Sequence, residues 1–163
     1  MSSPAVHQPA PAVFSRNLRA WIPTLLWLCV LALFSTDTFS AEHTGSVLTK
    51  ILHALFGRIS SRQFQEVHFL VRKTAHFVSY GTLGAFAFFS WRATFPMQRR
   101  WTIRWSTMAL ALVAVAAGLD EFHQSFVPSR TSSLHDVFLD LMGGIFFQLA
   151  IALWIGWRDK RAA

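Results

Sequence analysis

The sequence predicts an all-α fold: a polytopic membrane helix bundle of about four transmembrane helices, with a short amphipathic helix in the first outer loop. Hydrophobic residues make up 53% of the 163 residues and charged residues only 14%, whereas soluble domains carry about 25% charged residues. The chain also has 16 Phe and 7 Trp, which suit lipid contact and the membrane interfaces. The apolar residues form four runs, at about 21–36, 74–91, 101–119 and 137–157.

The N-terminal segment differs in composition from the rest of the chain. Residues 1–20 are rich in Ala, Pro and polar residues and are predicted to form a disordered cytoplasmic tail. The transmembrane domain is predicted to follow over 21–158. Its first span, 21–36, has Pro23 in its first turn, where proline removes no helical hydrogen bond. A cleavable signal peptide is the alternative for this run, although Thr38 makes a poor cleavage pattern.

Between the first two spans, residues 37–72 are predicted to form a mixed loop that contains a short amphipathic helix. Its apolar residues recur at helical spacing and would face the membrane interface. They are Ile51, Leu52, Leu55, Phe56 and Ile59. A solvated surface helix is the alternative for this piece.

The other three spans are predicted from apolar runs that suit a hydrocarbon core of about 30 Å. Glycines recur in the second and fourth spans, at Gly81, Gly84, Gly143 and Gly144. Small residues let membrane helices approach closely. We therefore expect these two spans to pack tightly within the bundle.

The distribution of basic residues predicts that both termini are cytoplasmic. With that orientation, most of the 15 Lys and Arg residues fall on the cytoplasmic side, in short segments beside the spans. The positive-inside rule has most force in such segments. Arg72 and Lys73 lie on the outer side and locally oppose this orientation.

Polar and ionisable residues are gathered at the outer ends of the second, third and fourth spans. On the second span, Arg72, His76 and Tyr80 recur every four residues and form one stripe, with Lys73 on an adjacent stripe. The other members end the third span or precede and begin the fourth: Asp120, Glu121, His123, Gln124, Arg130 and Asp136. Because successive spans alternate in direction, all of them lie at the same membrane surface. Ionisable groups at membrane depth cost about 2.5–3.5 kcal/mol each, so they need partners or a function.

Three uses compete for this cluster. One is a membrane-embedded enzyme, in which Glu121 or Asp120 is the base and His123 or His76 is the acid. Another is a binding site for an anionic ligand such as a lipid-linked phosphate. Its candidate binding residues are Arg72, Lys73, Tyr80, Gln124, Arg130 and Asp136. The third is a structural or partner protein whose polar network only fixes helix packing.

Several candidates also have a structural explanation. Ser133 and Asp136 match the spacing of a helix N-terminal capping box. Arg72 and Lys73 could extend toward lipid head groups. Tyr80 could hold an inter-helix hydrogen bond.

Composition argues against other partners. Neither an H-E-x-x-H motif nor paired cysteines is present, and Cys29 is the one cysteine, so the sequence predicts no metal site and no cofactor. The net charge is +7, but the basic residues flank apolar runs. The lipid bilayer is therefore the predicted partner, and nucleic acid is not.

Two stretches resemble the VanZ-like family of small bacterial membrane proteins. They are RKTAHFVSYGTLGAF over 72–86 and DEFHQSFVPSRTSSLHDVFLDLMGG over 120–144. The family pattern carries over to Lys73, His76, Tyr80, Asp120, Glu121, His123, Gln124, Phe126, Arg130, Asp136, Gly143 and Gly144. The chain departs from it at Asp140, where Asn is usual, and at Ser129, where Gly is common.

The resemblance implies a multi-pass protein of the bacterial inner membrane with a role in the cell envelope. The family takes its name from a member associated with resistance to the glycopeptide antibiotic teicoplanin. Together with the cluster, it leads us to expect an outward-facing pocket that binds an anionic envelope ligand.

Overall fold

The structure is a computed structural model that describes residues 11–36, 41–97, 100–127 and 132–162. Throughout these residues every regular element is a helix, which confirms the all-α prediction. The five helices are α1 (Pro11–Phe34), α2 (Ala41–Phe56), α3 (Ser61–Thr94), α4 (Ile103–Gln124) and α5 (Leu134–Arg161).

Three of the helices in the described residues are long and apolar enough to cross a membrane. These segments are Asn17–Phe34 in α1, Ile103–Gln124 in α4 and Leu134–Arg161 in α5. The fourth long helix, α3, carries more polar residues and lies at the centre of the bundle, packed against α1, α4 and α5. The protein is therefore a membrane helix bundle in which the most polar long helix is the one enclosed by the others.

Helix α1 begins earlier than the predicted span. Residues 11–20, which were assigned to a disordered tail, form its first turns, while residues 1–10 lie outside the described residues. Proline at Pro11 suits the first position of a helix, and the Ala, Leu and Arg residues that follow are good helix formers. As a result, Pro23 lies inside the helix and not in its first turn as predicted.

The amphipathic helix predicted for the loop after the first span is present as α2, although Ile59 lies beyond its end, and the loop around it is much shorter than predicted. Helix α2 ends at Phe56, before Gly57, whose φ of 73° is the left-handed conformation that ends many helices. Helix α3 then starts at Ser61. Ser60 caps it reciprocally with Gln63, since each side chain accepts a hydrogen bond from the other residue's backbone N–H. This capping box explains why 61–72 is helix and not loop.

The packing of α3 confirms the expected role of the glycines. A Cβ built on Gly84 would lie 3.5 Å from the Cα of Gly144. A Cβ on Gly143 would overlap the backbone carbonyl of Phe77, and one on Gly81 would overlap the ring of Phe147. Helices α3 and α5 therefore touch backbone to backbone, as small residues allow in membranes.

At the end of the bundle where α3 finishes, the packing is apolar and aromatic. A cluster that we call the aromatic core consists of Ala87, Phe88, Trp105, Ala109 and Ile155. The Trp105 indole N–H donates to the carbonyl of Phe95, 3.1 Å away. Beside it, Trp21 of α1 donates to the hydroxyl of Thr94 at 2.9 Å, which ties α1 to the end of α3.

Candidate functional site

The opposite end of the bundle brings the three polar stretches together. Three residues of α3 each contact one carboxylate of α4 or α5, and we call these six residues the acidic ladder. Lys73 forms an ion pair with Asp136. The other two contacts of the ladder are His76 with Asp140 and Tyr80 with Asp120.

The rungs of the acidic ladder follow one another along α3. His76 Nδ1 lies 3.2 Å from Asp140 Oδ1, and the Tyr80 hydroxyl donates to Asp120 Oδ2 at 2.8 Å. Tyr80, Asp136 and Asp140 are buried, whereas Asp120 is half-buried. Most charged groups inside a membrane bundle pair with one another or face a cavity, and here each carboxylate of the ladder has a partner.

Helical spacing explains how the acidic ladder forms. Lys73, His76 and Tyr80 are separated by three and four residues, so they form one stripe of α3. Asp136 and Asp140 are one turn apart and face that stripe from α5. The sequence analysis placed Arg72 on the stripe and Lys73 beside it; in the structure Lys73 takes the place in the ladder, and Arg72 lines a cavity beside it.

Glu121 supports the start of α5 and, among the described residues, forms no ion pair with a histidine. Its buried Oε2 accepts a hydrogen bond from the backbone N–H of Ser133 at 2.7 Å. The Ser133 hydroxyl caps α5 by accepting from the N–H of His135. Asp136 does not complete the predicted capping box, because its carboxylate contacts Lys73 and Glu121 takes its place at the Ser133 N–H.

The remaining predicted site residues, His123, Gln124 and Arg130, are not part of the acidic ladder as the structure describes it. His123 is exposed, and its Nδ1 is hydrogen-bonded at 3.0 Å to the hydroxyl of Ser35, the residue that follows α1. Gln124 is 1% exposed and lies within the bundle. Arg130 lies outside the described residues. Of the predicted acid–base residues, His76 is therefore the histidine with a carboxylate partner, and that partner is Asp140.

A cavity of about 280 Å³ opens beside the acidic ladder, between α1, α2, α3 and α4. Its apolar lining comes from Leu31, Phe34, Leu48, Val71 and Ala75. Its polar lining comes from Ser35, His68, Arg72, His76, Ser79, Tyr80, Asp120 and Gln124. One cavity thus joins a hydrocarbon surface to the polar groups of the site.

Arg72 lines this cavity, and part of its guanidinium group lacks hydrogen-bond partners among the described residues. Its Nε and Nη2 atoms are buried and have no hydrogen-bond partner among the described residues. These two nitrogens form one side of the planar guanidinium, the side that can donate two parallel hydrogen bonds to a phosphate or carboxylate. An unsatisfied buried donor costs about 1–3 kcal/mol, and more when it is charged.

Several contributors to the site, His68 and Ser79 of the cavity lining among them, were missed as site residues, and Asp140 and Ser35 show why. Asp140 was noted on the face of Asp136 but was not assigned to the site; its spacing of four from Asp136 was the available signal. Ser35, which contacts His123 and lines the cavity, gave no signal, because it follows the last residue of α1 and reaches the site only through the packing of that helix. Along the described parts of the chain, no group of three His, Cys, Asp or Glu side chains is arranged to hold a metal ion.

These features define a class of protein: a small membrane helix bundle whose central helix is paired to buried carboxylates beside an amphipathic cavity. The family model VanZ/LLP1 matches residues 20–155, and the chain belongs to this family. The match covers α3, α4, most of α1 and α5, and the whole acidic ladder. Comparison with curated proteins and with solved structures gave no match.

Proposed function

We propose that this membrane protein binds an amphiphilic anion of the cell envelope, a lipid-linked phosphate, in the cavity beside Arg72. The observation that carries the proposal is the buried Nε–Nη2 edge of Arg72, which has no partner among the described residues. A phosphate oxygen pair fits this edge with two charge-assisted hydrogen bonds. Binding would satisfy donors whose burial otherwise costs free energy.

The shape of the cavity supports an amphiphile as the ligand. Leu31 and Phe34 of α1 and Leu48 of α2 provide apolar surface in the same cavity as Arg72. A hydrocarbon segment can bury against this surface while its phosphate reaches Arg72, which gains about 25 cal/mol per Å² of apolar area. Lys73 does not share this role, because Asp136 already neutralises its ammonium group.

The proposal places the cavity at the outer face of the bacterial inner membrane, with both termini in the cytoplasm. There the protein would act on the cell envelope, and the resistance to teicoplanin that names the family fits such a role. Reporter fusions within 92–104 and 125–135 test this orientation. The second segment must report an external position; a cytoplasmic position would refute the outward-facing pocket.

Titration of the purified protein with a polyprenyl phosphate tests the binding itself. Arg72→Gln removes the charge and the paired donors, so we expect at least about tenfold weaker binding, the equivalent of about 1.4 kcal/mol. Arg72→Lys keeps the charge without the planar edge and should lie between the two. Arg62→Gln is the matched control, because Arg62 is an exposed arginine of the same helix, paired with Glu66.

Two results of this titration would refute the proposal. Wild-type affinity in Arg72→Gln, with the control also unchanged, would refute the proposal. Equal affinity for the polyprenol without its phosphate would refute it as well. If Arg72→Gln fails to fold, the affinities of the wild type and Arg72→Lys still decide the nature of the contact. Weaker binding by Arg72→Lys indicates a bidentate contact, and equal binding indicates a simple charge interaction.

A second candidate function is a membrane-embedded enzyme that acts on such a ligand. The observation that favours it is the His76–Asp140 pair, because His76 lines the cavity and is oriented by a buried carboxylate. This is the arrangement of a general base held by an acidic partner. Turnover of a lipid-linked phosphate that survives His76→Gln unchanged would remove this candidate.

A further inference from the structure

We propose that the ligand of the cavity is zwitterionic: an amphiphile that carries an ammonium group in addition to its phosphate. The inference rests on the proposed function and names the head-group class. Two opposite charges line the same cavity, Arg72 from α3 and Asp120 from α4. In the described portion of the chain no ion pair joins these two residues, so each has charge to offer to a ligand.

Gln124 adds a second acceptor beside Asp120. It is 1% exposed and lines the cavity, and its Oε1 has no hydrogen-bond partner among the described residues. Asp120 and Gln124 are four residues apart on α4 and therefore share one face of the helix. Because Tyr80 donates to Asp120 Oδ2, it holds that carboxylate in place.

The donors and acceptors of the cavity match the two ends of a zwitterion. An ammonium group has three N–H donors and no acceptor, which suits a carboxylate and an amide oxygen on one helix face. A phosphate without an ammonium group would leave Gln124 Oε1 unsatisfied and would bring its charge toward Asp120. Both effects cost free energy in a partly buried site. The cavity therefore discriminates for a phosphate–ammonium head group.

The test compares three short-chain lipids with identical chains, titrated into the full-length protein in detergent. Phosphatidylethanolamine has the phosphate and the N–H donors, phosphatidylcholine keeps the positive charge without N–H donors, and phosphatidic acid has no cation. We expect phosphatidylethanolamine to bind at least about tenfold more tightly than either of the others. Asp120→Asn should reduce this preference at least about fivefold, and Gln124→Leu should reduce it in the same direction.

Asp159→Asn is the matched control, because Asp159 is an exposed carboxylate at the other end of the bundle, paired with Arg100. Its preference for phosphatidylethanolamine should equal that of the wild type. If Asp120→Asn does not fold, Gln124→Leu still tests the acceptor pair.

Failure of this inference can be told from failure of the proposed function. If phosphatidic acid binds the wild type as tightly as phosphatidylethanolamine, the zwitterion is wrong and the phosphate site stands. If all three lipids bind no better than an uncharged diacylglycerol, the phosphate site itself is wrong. Water-soluble phosphoethanolamine tests whether the ligand must carry a hydrocarbon chain. If it binds as tightly as phosphatidylethanolamine, the proposal that the ligand is an amphiphile is wrong.

Discussion

The two ends of the bundle use the same three helices and hold them together by different means. At one end, α3, α4 and α5 meet through the aromatic core, whose residues are apolar. At the other end they meet through the acidic ladder, whose three contacts join polar or charged groups. Lipid provides no hydrophobic drive for helix association, so close packing and hydrogen bonds hold both ends.

The difference bears on the role of the acidic ladder. Helices with small residues and aromatic side chains pack well without charges, as the aromatic core demonstrates. Buried ion pairs are often no more stabilising than apolar residues of the same shape, because both charges lose their hydration. The acidic ladder therefore exceeds what packing needs, and its place beside the cavity supports a role in ligand binding.

The largest expected effect on stability is in the acidic ladder, and it differs between the two partners of the Lys73–Asp136 ion pair. Lys73→Ala leaves the buried Asp136 without its counter-charge, and breaking a buried pair in this way costs about 3–5 kcal/mol. Asp136→Ala should cost less, because the side chain of Lys73 is 26% exposed and can turn toward water. Thermal unfolding in detergent measures both variants.

A conservative change in the aromatic core is the control for this comparison. Ile155→Val removes one buried methylene and should cost about 0.5–1.5 kcal/mol. If Lys73→Ala costs no more than Ile155→Val, or if Asp136→Ala is the worse of the two ladder variants, the account of the acidic ladder as a buried ion-pair system is wrong.

A smaller effect is expected where the backbones of α3 and α5 touch. Gly143→Ala places a Cβ against the Phe77 carbonyl, and because that atom is backbone, the helices must separate. Overpacking of this kind costs about 1–3 kcal/mol. Gly156→Ala, near the aromatic core, meets open space and should leave the midpoint of thermal unfolding unchanged or slightly raised. Equal midpoints for the two variants would contradict the close contact.

Much of this arrangement could be predicted from the sequence, because it depends on span count and helical spacing. Alternating span direction was enough to place the stretches around His76, Asp120 and Asp136 at one end of the bundle. The spacing of Asp136 and Asp140 placed both on one face of α5. The glycines of α3 and α5 indicated where the helices approach closely. None of these conclusions required knowledge of how the helices are rotated about their axes.

The pairing within the site could not be predicted, because it depends on that rotation. Neighbouring residues on a helix are about 100° apart, so the rotation of α3 about its axis decides whether Arg72 or Lys73 faces α5. The part played by Ser35 depends on where α1 packs. The start of α3 was missed for a local reason, since the Ser60–Gln63 capping box was present in the sequence but was not used.

The smallest expected effect compares one inter-helix hydrogen bond at each end of the bundle. Tyr80→Phe removes the donor to Asp120, and Thr94→Val removes the acceptor of the Trp21 indole N–H, along with a hydrogen bond within α3 to the Ser90 carbonyl, each with little change of shape. Each change should cost about 0.5–1.5 kcal/mol in thermal unfolding. Binding of short-chain phosphatidylethanolamine should then separate them. Tyr80→Phe releases the Asp120 carboxylate and should weaken binding, whereas Thr94→Val lies at the far end of α3 and should not. Equal binding by the two variants would mean that the acidic ladder, like the aromatic core, serves packing alone.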